Sequence, residues 1–336
     1  MKVMSILVSS FVAMAALISV VFCRTDDLTG FYANWRSEKL AMLDRDPHLY
    51  LVAAFGSSHV HNGFDPRSFD AAFSGATNTP KSFNLGIEGG SQTEQRKMAL
   101  EYLKYVHQRG GQHAIILLEM EDGMNFQDIY LAHPRAINIY DWSTIKFVAE
   151  YSSFHIGAVR WLGRLQYALR AGCLHYLNVG MLSNRIFRPP LDESLIARQT
   201  ADDRRGLDDL PVNSDMKQYL SVLPASISAI PGEIEPGHYH LLRDLYAASL
   251  IKDLKIAYFV MPLMHKPGFL SGIIPLYPTE IDGPQGKVPV INLYETGYEL
   301  FKPDLWHDDA HLNGSGARVL SRILGAKLRN YYSVNF

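Results

Sequence analysis

Five short apolar runs, separated by segments with helical periodicity, most constrain the fold of this chain. The runs show little alternation of polar and apolar residues, which is typical of parallel strands buried on both faces. They are Leu51–Phe55, Ser82–Leu85, Ala114–Leu118, Ile256–Met261 and Val288–Leu293. The helical patterns fall at Gln92–Gln108, Tyr239–Lys252 and Ser315–Tyr331. This alternation predicts an α/β fold with right-handed crossovers, a three-layer α/β/α sandwich around a five-stranded, mainly parallel sheet.

The N-terminal segment predicts a membrane anchor. Residues Val3–Cys23 are almost wholly apolar, and a helix needs roughly 20 such residues to cross the hydrocarbon core of a bilayer. With Lys2 before this run, we expect a transmembrane helix at residues 1–24 whose N-terminus lies in the cytoplasm. A signal peptide cleaved near Ala13-Met14-Ala15 is one alternative, and a buried core helix is another. The anchor and the signal peptide both place the rest of the chain outside the cytoplasm, in the periplasm or at the cell surface.

The remaining chain divides into a linker and one large domain. We predict a linker helix over residues 25–48 and a folded domain over residues 49–333, with an insertion at about 126–236. A structureless loop as long as that insertion would be abnormal in a compact domain, so we expect it to form a cap or a partner surface. The formal net charge is −2 and no basic stripe occurs, which argues against a nucleic-acid partner.

A polar turn after the first apolar run predicts a nucleophile. Ser58 ends the sequence Gly56-Ser57-Ser58, but a serine hydroxyl is unreactive at neutral pH unless a base takes its proton. About 250 residues later, His311 follows Asp308 by three positions. We predict that His311 is the base and that Asp308 orients its ring. Ser57 is interpreted as a turn residue or a backbone hydrogen-bond partner.

Other polar residues near these segments offer rival or supporting roles. Asp309 and His307 are alternative members of the predicted triad, although the spacing favours Asp308. His59 and His61 are predicted to contact substrate from one face of a short extended segment. Together with Asp308 and His311 they would instead be able to bind zinc, but no metal or other cofactor is expected.

Acyl transfer also requires hydrogen-bond donors for the oxyanion that develops in the transition state. The segment Asn84–Ser91 follows the second apolar run and contains glycines, which let backbone N–H groups approach a ligand closely. We predict that the N–H groups of Gly89 and Ser58 are two of these donors.

These blocks resemble the SGNH (GDSL-like) hydrolase superfamily. That family carries its serine in a Gly-Asp-Ser block and an oxyanion glycine in an Asn-x-Gly-x-x-Gly block, and an Asp-x-x-His block completes the triad. The corresponding segments here are Gly56–Ser58, Asn84–Gly89 and Asp308–His311. The family's Gly-x-Asn-Asp block, which carries an oxyanion asparagine, is absent, and the chain has Glu119–Asn125 in that place. The resemblance makes the Asn125 side chain the candidate for a third oxyanion donor, two positions later than the pattern requires. The resemblance implies a flavodoxin-like α/β/α fold and a Ser58-His311-Asp308 triad.

The Gly-Ser-Ser variant, the segment Gly63–Pro66, the ending His311-Leu312-Asn313 and the apolar N-terminus are similar to one membrane-anchored subgroup. It includes the D-alanine transfer protein of teichoic acid modification and the alginate O-acetylation proteins. This similarity implies an O-acyltransferase or esterase that acts outside the membrane on an acylated surface polymer or an acyl donor. The implied partner is a membrane-bound O-acyltransferase. The alternative is a non-catalytic accessory protein that binds such a polymer or such an enzyme.

Overall fold

The computed structural model describes residues 9–10, 13–14, 34–74, 81–120, 139–151, 157–176, 192–212, 228–232, 234, 236–262, 273–300 and 302–332. The chain forms two compact units. The smaller unit comprises residues 1–38 and 125–192, and the larger comprises residues 39–124 and 193–336. The segment predicted as an insertion is therefore divided, because its part from Glu193 onward belongs to the larger unit.

The larger unit is an α/β structure built on a mainly parallel six-stranded sheet. The strands of the unit are β1 (Val52–Phe55), β2 (Ser82–Asn84), β3 (His113–Glu119), β4 (Ser228–Pro231), β5 (Asp253–Val260), β6 (Ile273–Leu276), β7 (Glu280–Gly283) and β8 (Gly286–Asn292). The main sheet has the order β2-β1-β3-β5-β8-β7, in which only β7 is antiparallel to its neighbour. Strands β4 and β6 form a separate parallel pair.

All five predicted strands are present, as β1, β2, β3, β5 and β8, but the sheet has six strands rather than five. The sixth, β7, was not predicted because it lies at the sheet edge and only its Ile281 side chain is buried. A turn through Gly286, whose φ is +121°, returns the chain from β7 into β8. A positive φ of this size favours glycine, so the turn fixes the register of this hairpin.

The helices are α1 (Asn34–Arg45), α2 (Ser58–Gly63), α3 (Pro66–Ser74), α4 (Gln92–Gln108), α5 (Trp142–Tyr151), α6 (Ala158–Tyr176), α7 (Glu193–Thr200), α8 (Pro236–Ala248) and α9 (Gly314–Tyr332). Helix α4 begins with a capping box, in which the Ser91 hydroxyl accepts from the Glu94 N–H and the Glu94 carboxylate accepts from the Ser91 N–H. Helix α1 lies within the segment predicted as a linker helix. With helices between β1 and β2, between β2 and β3, and between β3 and β5, the unit is consistent with a three-layer α/β/α sandwich.

The packing of helix α9 on helix α3 brings the end of the chain close to the turn that carries Ser58. Helix α9 packs on α3 so closely that a Cβ on Gly325 would contact the backbone oxygen of Phe69. Because α3 directly follows α2, which begins at Ser58, this contact ties the C-terminal helix to the turn after β1. Strand β1 itself is buried at all four positions between β2 and β3.

The predicted N-terminal anchor lies almost entirely outside the described residues. Within the part of the chain that the structure does describe, no helix combines the length and the apolarity needed to cross a membrane.

Candidate active site

The turn after β1 presents Ser58 at the start of a short helix. Ser57 is the N-cap residue of α2, and its hydroxyl accepts a hydrogen bond from the His59 N–H at 3.3 Å. Ser58 is the first helical residue, so α2 supplies no partner for its N–H. This N–H therefore lies just beyond the carboxyl end of central strand β1, in the region where α/β sheets bind their ligands.

The structure brings Ser58, His311 and Asp308 together as a continuous hydrogen-bonded chain. His311 Nε2 lies 2.8 Å from Ser58 Oγ. His311 Nδ1 lies 2.9 and 2.8 Å from the two carboxylate oxygens of Asp308. A carboxylate on Nδ1 fixes the proton there and leaves Nε2 to accept the serine proton. This is the arrangement that a serine nucleophile needs.

The loop that carries Asp308 and His311 is anchored at both ends. Trp306 and Leu312 form an antiparallel bridge, and the fully buried Trp306 donates its indole N–H to the Leu300 carbonyl at 2.6 Å. Asn313 then caps α9, because its side-chain oxygen accepts from the N–H groups of Ser315 and Gly316. The Asp–His segment is thus held between a buried indole and a helix N-terminus.

The Asp308 carboxylate is ionised, and neighbouring groups of its own loop donate hydrogen bonds to it. Burial alone would raise its pKa, but hydrogen bonds from the His311 ring and from the N–H groups of Ala310 and His311 lower the pKa far below its usual range. A carboxylate that stays charged is suited to stabilise the imidazolium that forms when His311 takes a proton.

The two rival residues point elsewhere. His307 Nδ1 lies 2.8 Å from the Pro211 carbonyl oxygen, and Asp309 is exposed to solvent. Of the four residues considered for the Asp–His pair, the structure therefore joins only Asp308 and His311 to Ser58.

The glycine-containing loop after β2 packs directly against the serine turn. A Cβ on Gly86 would overlap the backbone N of His61, and one on Gly90 would come within 3.0 Å of the Gly56 carbonyl oxygen. Gly89 adopts a positive φ of 57°, so it turns the backbone at this point. The loop lies beside the predicted nucleophile, while the donor role of the Gly89 N–H stays a prediction.

Asn84 joins this loop to helix α2. Its side-chain N–H groups contact the carbonyl oxygens of Val60, His61 and Phe64 at 2.8, 3.2 and 2.8 Å. Its side-chain oxygen accepts from the Gly86 N–H at 2.9 Å. Asn84 therefore links the loop after β2 to helix α2 through buried hydrogen bonds.

His61 does not join the site, contrary to the prediction that it contacts substrate. The segment is helical rather than extended, so residues two apart point to different sides. His61 is fully buried, with Nδ1 3.2 Å from the Gly86 carbonyl oxygen and Nε2 3.6 Å from an Asp208 oxygen. Burial, followed by the positive charge of Lys39, lowers its pKa to about 4, so His61 is a neutral packing residue at neutral pH.

His59, in contrast, faces the site and has a carboxylate partner that the sequence did not reveal. Its Nδ1 lies 2.9 Å from Glu119 Oε1 and 2.9 Å from Ser57 Oγ. The second Glu119 oxygen accepts from the Ser57 N–H at 2.6 Å. Glu119 ends strand β3, and the only sequence signal for it is a charged residue immediately after an apolar run.

Two further expectations concern a third oxyanion donor and a metal site. Asn125, the predicted third oxyanion donor, lies outside the described residues. Within the described ranges no group of three or more His, Cys, Asp or Glu side chains could hold a metal ion, so His59, His61, Asp308 and His311 form no zinc site.

The site must be interpreted from its own geometry. Comparison with protein-family models, curated proteins and solved structures gave no match to this chain.

Proposed function

We propose that this chain is a serine acyl-transfer enzyme, an O-acyltransferase or esterase of the SGNH type. The observation that supports this most strongly is the 2.8 Å contact between His311 Nε2 and Ser58 Oγ, with Nδ1 of the same ring on the Asp308 carboxylate. A chance polar contact would rarely place a carboxylate on one nitrogen of a histidine ring and a serine hydroxyl on the other, as proton transfer from the serine requires. The sheet order and the loop after β2 also fit a flavodoxin-like SGNH domain.

In the proposed reaction, Ser58 Oγ attacks the carbonyl carbon of an ester while His311 Nε2 takes the hydroxyl proton. Asp308 stabilises the resulting imidazolium. The N–H groups of Ser58 and Gly89 donate to the oxyanion, where losing one donor typically costs about 2.7–4 kcal/mol of transition-state stabilisation. The leaving group departs, and water or a polymer hydroxyl then releases the acyl group from Ser58.

The proposed setting is outside the cytoplasm, with the apolar residues Val3–Cys23 as the membrane anchor and an acylated surface polymer as substrate. A membrane-bound O-acyltransferase is the proposed partner. The support is the sequence alone, namely that apolar segment and the subgroup similarity. Protease added to intact cells tests the location: digestion of the folded domain without lysis is expected, and full protection would contradict it.

A fluorophosphonate probe, which reacts with activated serines, tests the catalytic assignment. We expect the purified chain to gain one adduct on Ser58, Ser58→Ala to lose it and His311→Gln to react far more slowly. Ser57→Ala is the matched control, since the neighbouring hydroxyl is not the proposed nucleophile and its loss should leave Ser58 labelled. A folded wild-type chain that forms no adduct would instead favour a non-catalytic accessory protein.

A further inference from the structure

A second histidine–carboxylate pair lies next to the proposed triad. The His59 and His311 rings have centroids 5.6 Å apart and an interplanar angle of 35°. His59 is bonded through Nδ1 to Glu119, as His311 is bonded through Nδ1 to Asp308. The two pairs are therefore built alike, each with a carboxylate on the same ring nitrogen.

The charge state of Glu119 is set by this contact. Its side chain is only 1% exposed, and burial alone would raise its pKa. The His59 charge and the hydrogen bonds from His59 and Ser57 instead lower that pKa, so the buried carboxylate is ionised. A buried ionised carboxylate is stabilised by a nearby positive charge, so the 2.9 Å contact of Glu119 Oε1 with His59 Nδ1 favours the protonated form of that ring.

His59 is the solvent-accessible member of its pair with Glu119. Its side chain retains 12% exposure, whereas the Glu119 behind it is closed off from solvent. Because an ionised carboxylate can only accept a hydrogen bond, Nδ1 keeps its proton toward Glu119, and the ring's titrating proton is the one on Nε2. The nitrogen that gains and loses its proton is therefore the one turned away from the buried carboxylate.

Two imidazoles this close favour sharing one positive charge over carrying two, because like charges oppose each other's ionisation. In a mechanism with a single histidine, one ring takes the serine proton, protonates the leaving group and later deprotonates the acceptor. With two rings, each already held by its own carboxylate, the protons of the serine and of the substrate can be handled separately.

We propose that His59 is a second acid–base residue of this site, which protonates the leaving group and later deprotonates the acceptor hydroxyl. This inference rests on the proposed acyl-transfer function. The substrate class it implies is an oxygen ester of an alcohol, because an alkoxide is a poor leaving group without a proton, whereas a thiolate or a phenolate can depart unaided.

The protons and bonds balance over the two steps. In the first, Ser58 Oγ bonds to the acyl carbon and gives its proton to His311, while the ester C–O bond breaks and the alkoxide takes the proton of the His59 imidazolium. In the second, the acceptor oxygen bonds to the acyl carbon and gives its proton to His59. The Ser58 ester bond breaks at the same time, and Ser58 Oγ recovers its proton from His311. One positive charge thus passes from His59 to His311 and back.

The test compares two acetate esters that share an acyl group and differ in leaving group. Benzyl acetate releases an alcohol that needs a proton, and p-nitrophenyl acetate releases a stable phenolate. For the purified full chain with His59→Gln, we expect kcat/KM to fall at least about 100-fold on benzyl acetate and less than about 10-fold on p-nitrophenyl acetate. His311→Gln should slow both esters strongly, because both require the nucleophile.

Glu119→Gln is the second variant, because it keeps the side-chain shape while removing the charge that supports the His59 imidazolium. It should show the same selective loss on benzyl acetate. His48→Gln is the matched control: this exposed ring is also held by a carboxylate, Asp46, at 2.8 Å and lies outside the proposed machinery. Its activity on both esters should equal that of the wild type.

The outcomes separate this inference from the function on which it rests. Equal losses on both esters in His59→Gln, or no loss on either, would overturn the role of His59 while leaving the Ser58 enzyme intact. If the wild type hydrolyses neither ester in a manner that depends on Ser58, the proposed function fails and the inference fails with it.

Discussion

The Glu119 carboxylate occupies the space in which any residue other than glycine at position 56 would place its Cβ, because a Cβ on Gly56 would overlap a carboxylate oxygen of Glu119. The same oxygen accepts from the Ser57 N–H at 2.6 Å, so the glycine lets a buried carboxylate hold the backbone of the serine turn. The first residue of the Gly-Ser-Ser block is thus explained by a contact with strand β3.

Gly56→Ala is therefore expected to damage both stability and activity. The added methyl group overpacks the contact with Glu119 and Val60, which typically costs about 1–3 kcal/mol. The turn must shift to relieve it, so we expect kcat/KM to fall at least about 10-fold. Gly163→Ala in α6 is the control, because a Cβ there meets nothing within 4 Å, and its free energy of unfolding should not decrease. Urea unfolding and ester hydrolysis measure the two effects.

Asp308→Asn should reduce turnover far more than its small change in shape implies. An amide in that position can donate to His311 Nδ1 and so favour the tautomer that cannot accept the Ser58 proton. The corresponding change in a characterised triad costs on the order of 10⁴ in kcat. Asp309→Asn is the control, since the exposed neighbour should change kcat by no more than about twofold. Similar losses in both variants would contradict the role of Asp308.

The folded chain should lose stability in acid through Asp308 and Glu119. Both carboxyl pKa values are lowered by folding, so the unfolded chain binds more protons as these groups titrate and stability rises with pH. Their contribution is complete above the unfolded values of about 4 and declines as the pH falls toward the folded values. Urea unfolding of the wild type and Asp308→Asn between about pH 3 and pH 7 measures this. The variant should decline less steeply, and parallel curves would contradict the assignment.

Asn84→Ala should destabilise the connection between the β2 loop and α2. The change leaves the buried Gly86 N–H and Phe64 carbonyl without their partner, at a typical cost of about 1–3 kcal/mol for each unsatisfied group. The Val60 carbonyl keeps its bond from the Phe64 N–H. Asn84→Asp should be at least as damaging at neutral pH, because a carboxylate oxygen would face carbonyl oxygens. An Asp variant as stable as the wild type would show that this connection is unimportant. Thermal unfolding near pH 7 is the measurement.

The sequence predicted those features that depend on continuous local patterns. Buried parallel strands are short apolar runs, so β1 and β3 were recognisable, whereas β7 has only Ile281 buried and was not. The prediction of an extended segment at His59 and His61 was wrong because a polar segment of six residues gives no periodicity by which to distinguish a helix from an extended chain.

The contacts of Glu119 were beyond sequence reasoning for another reason. Its carboxylate reaches Ser57 and His59 because β3 lies directly beside β1, where Phe55 pairs with Leu118. Strand order is a long-range property that an apolar run does not encode. The chemistry of Asp308 and His311, in contrast, lies within four consecutive residues, and the structure places their ring and carboxylate next to Ser58.

The position of the Asp308–His311 loop, just before α9, also determines when during synthesis the triad can form. A ribosome delivers Ser58 well before the loop, because His311 follows 253 positions later. Until then the nascent serine has no base and cannot react with esters that the growing chain meets. Chemical competence therefore arrives only once Asp308 and His311 have been added and packed against Ser58, which ties reactivity to folding of the sheet domain.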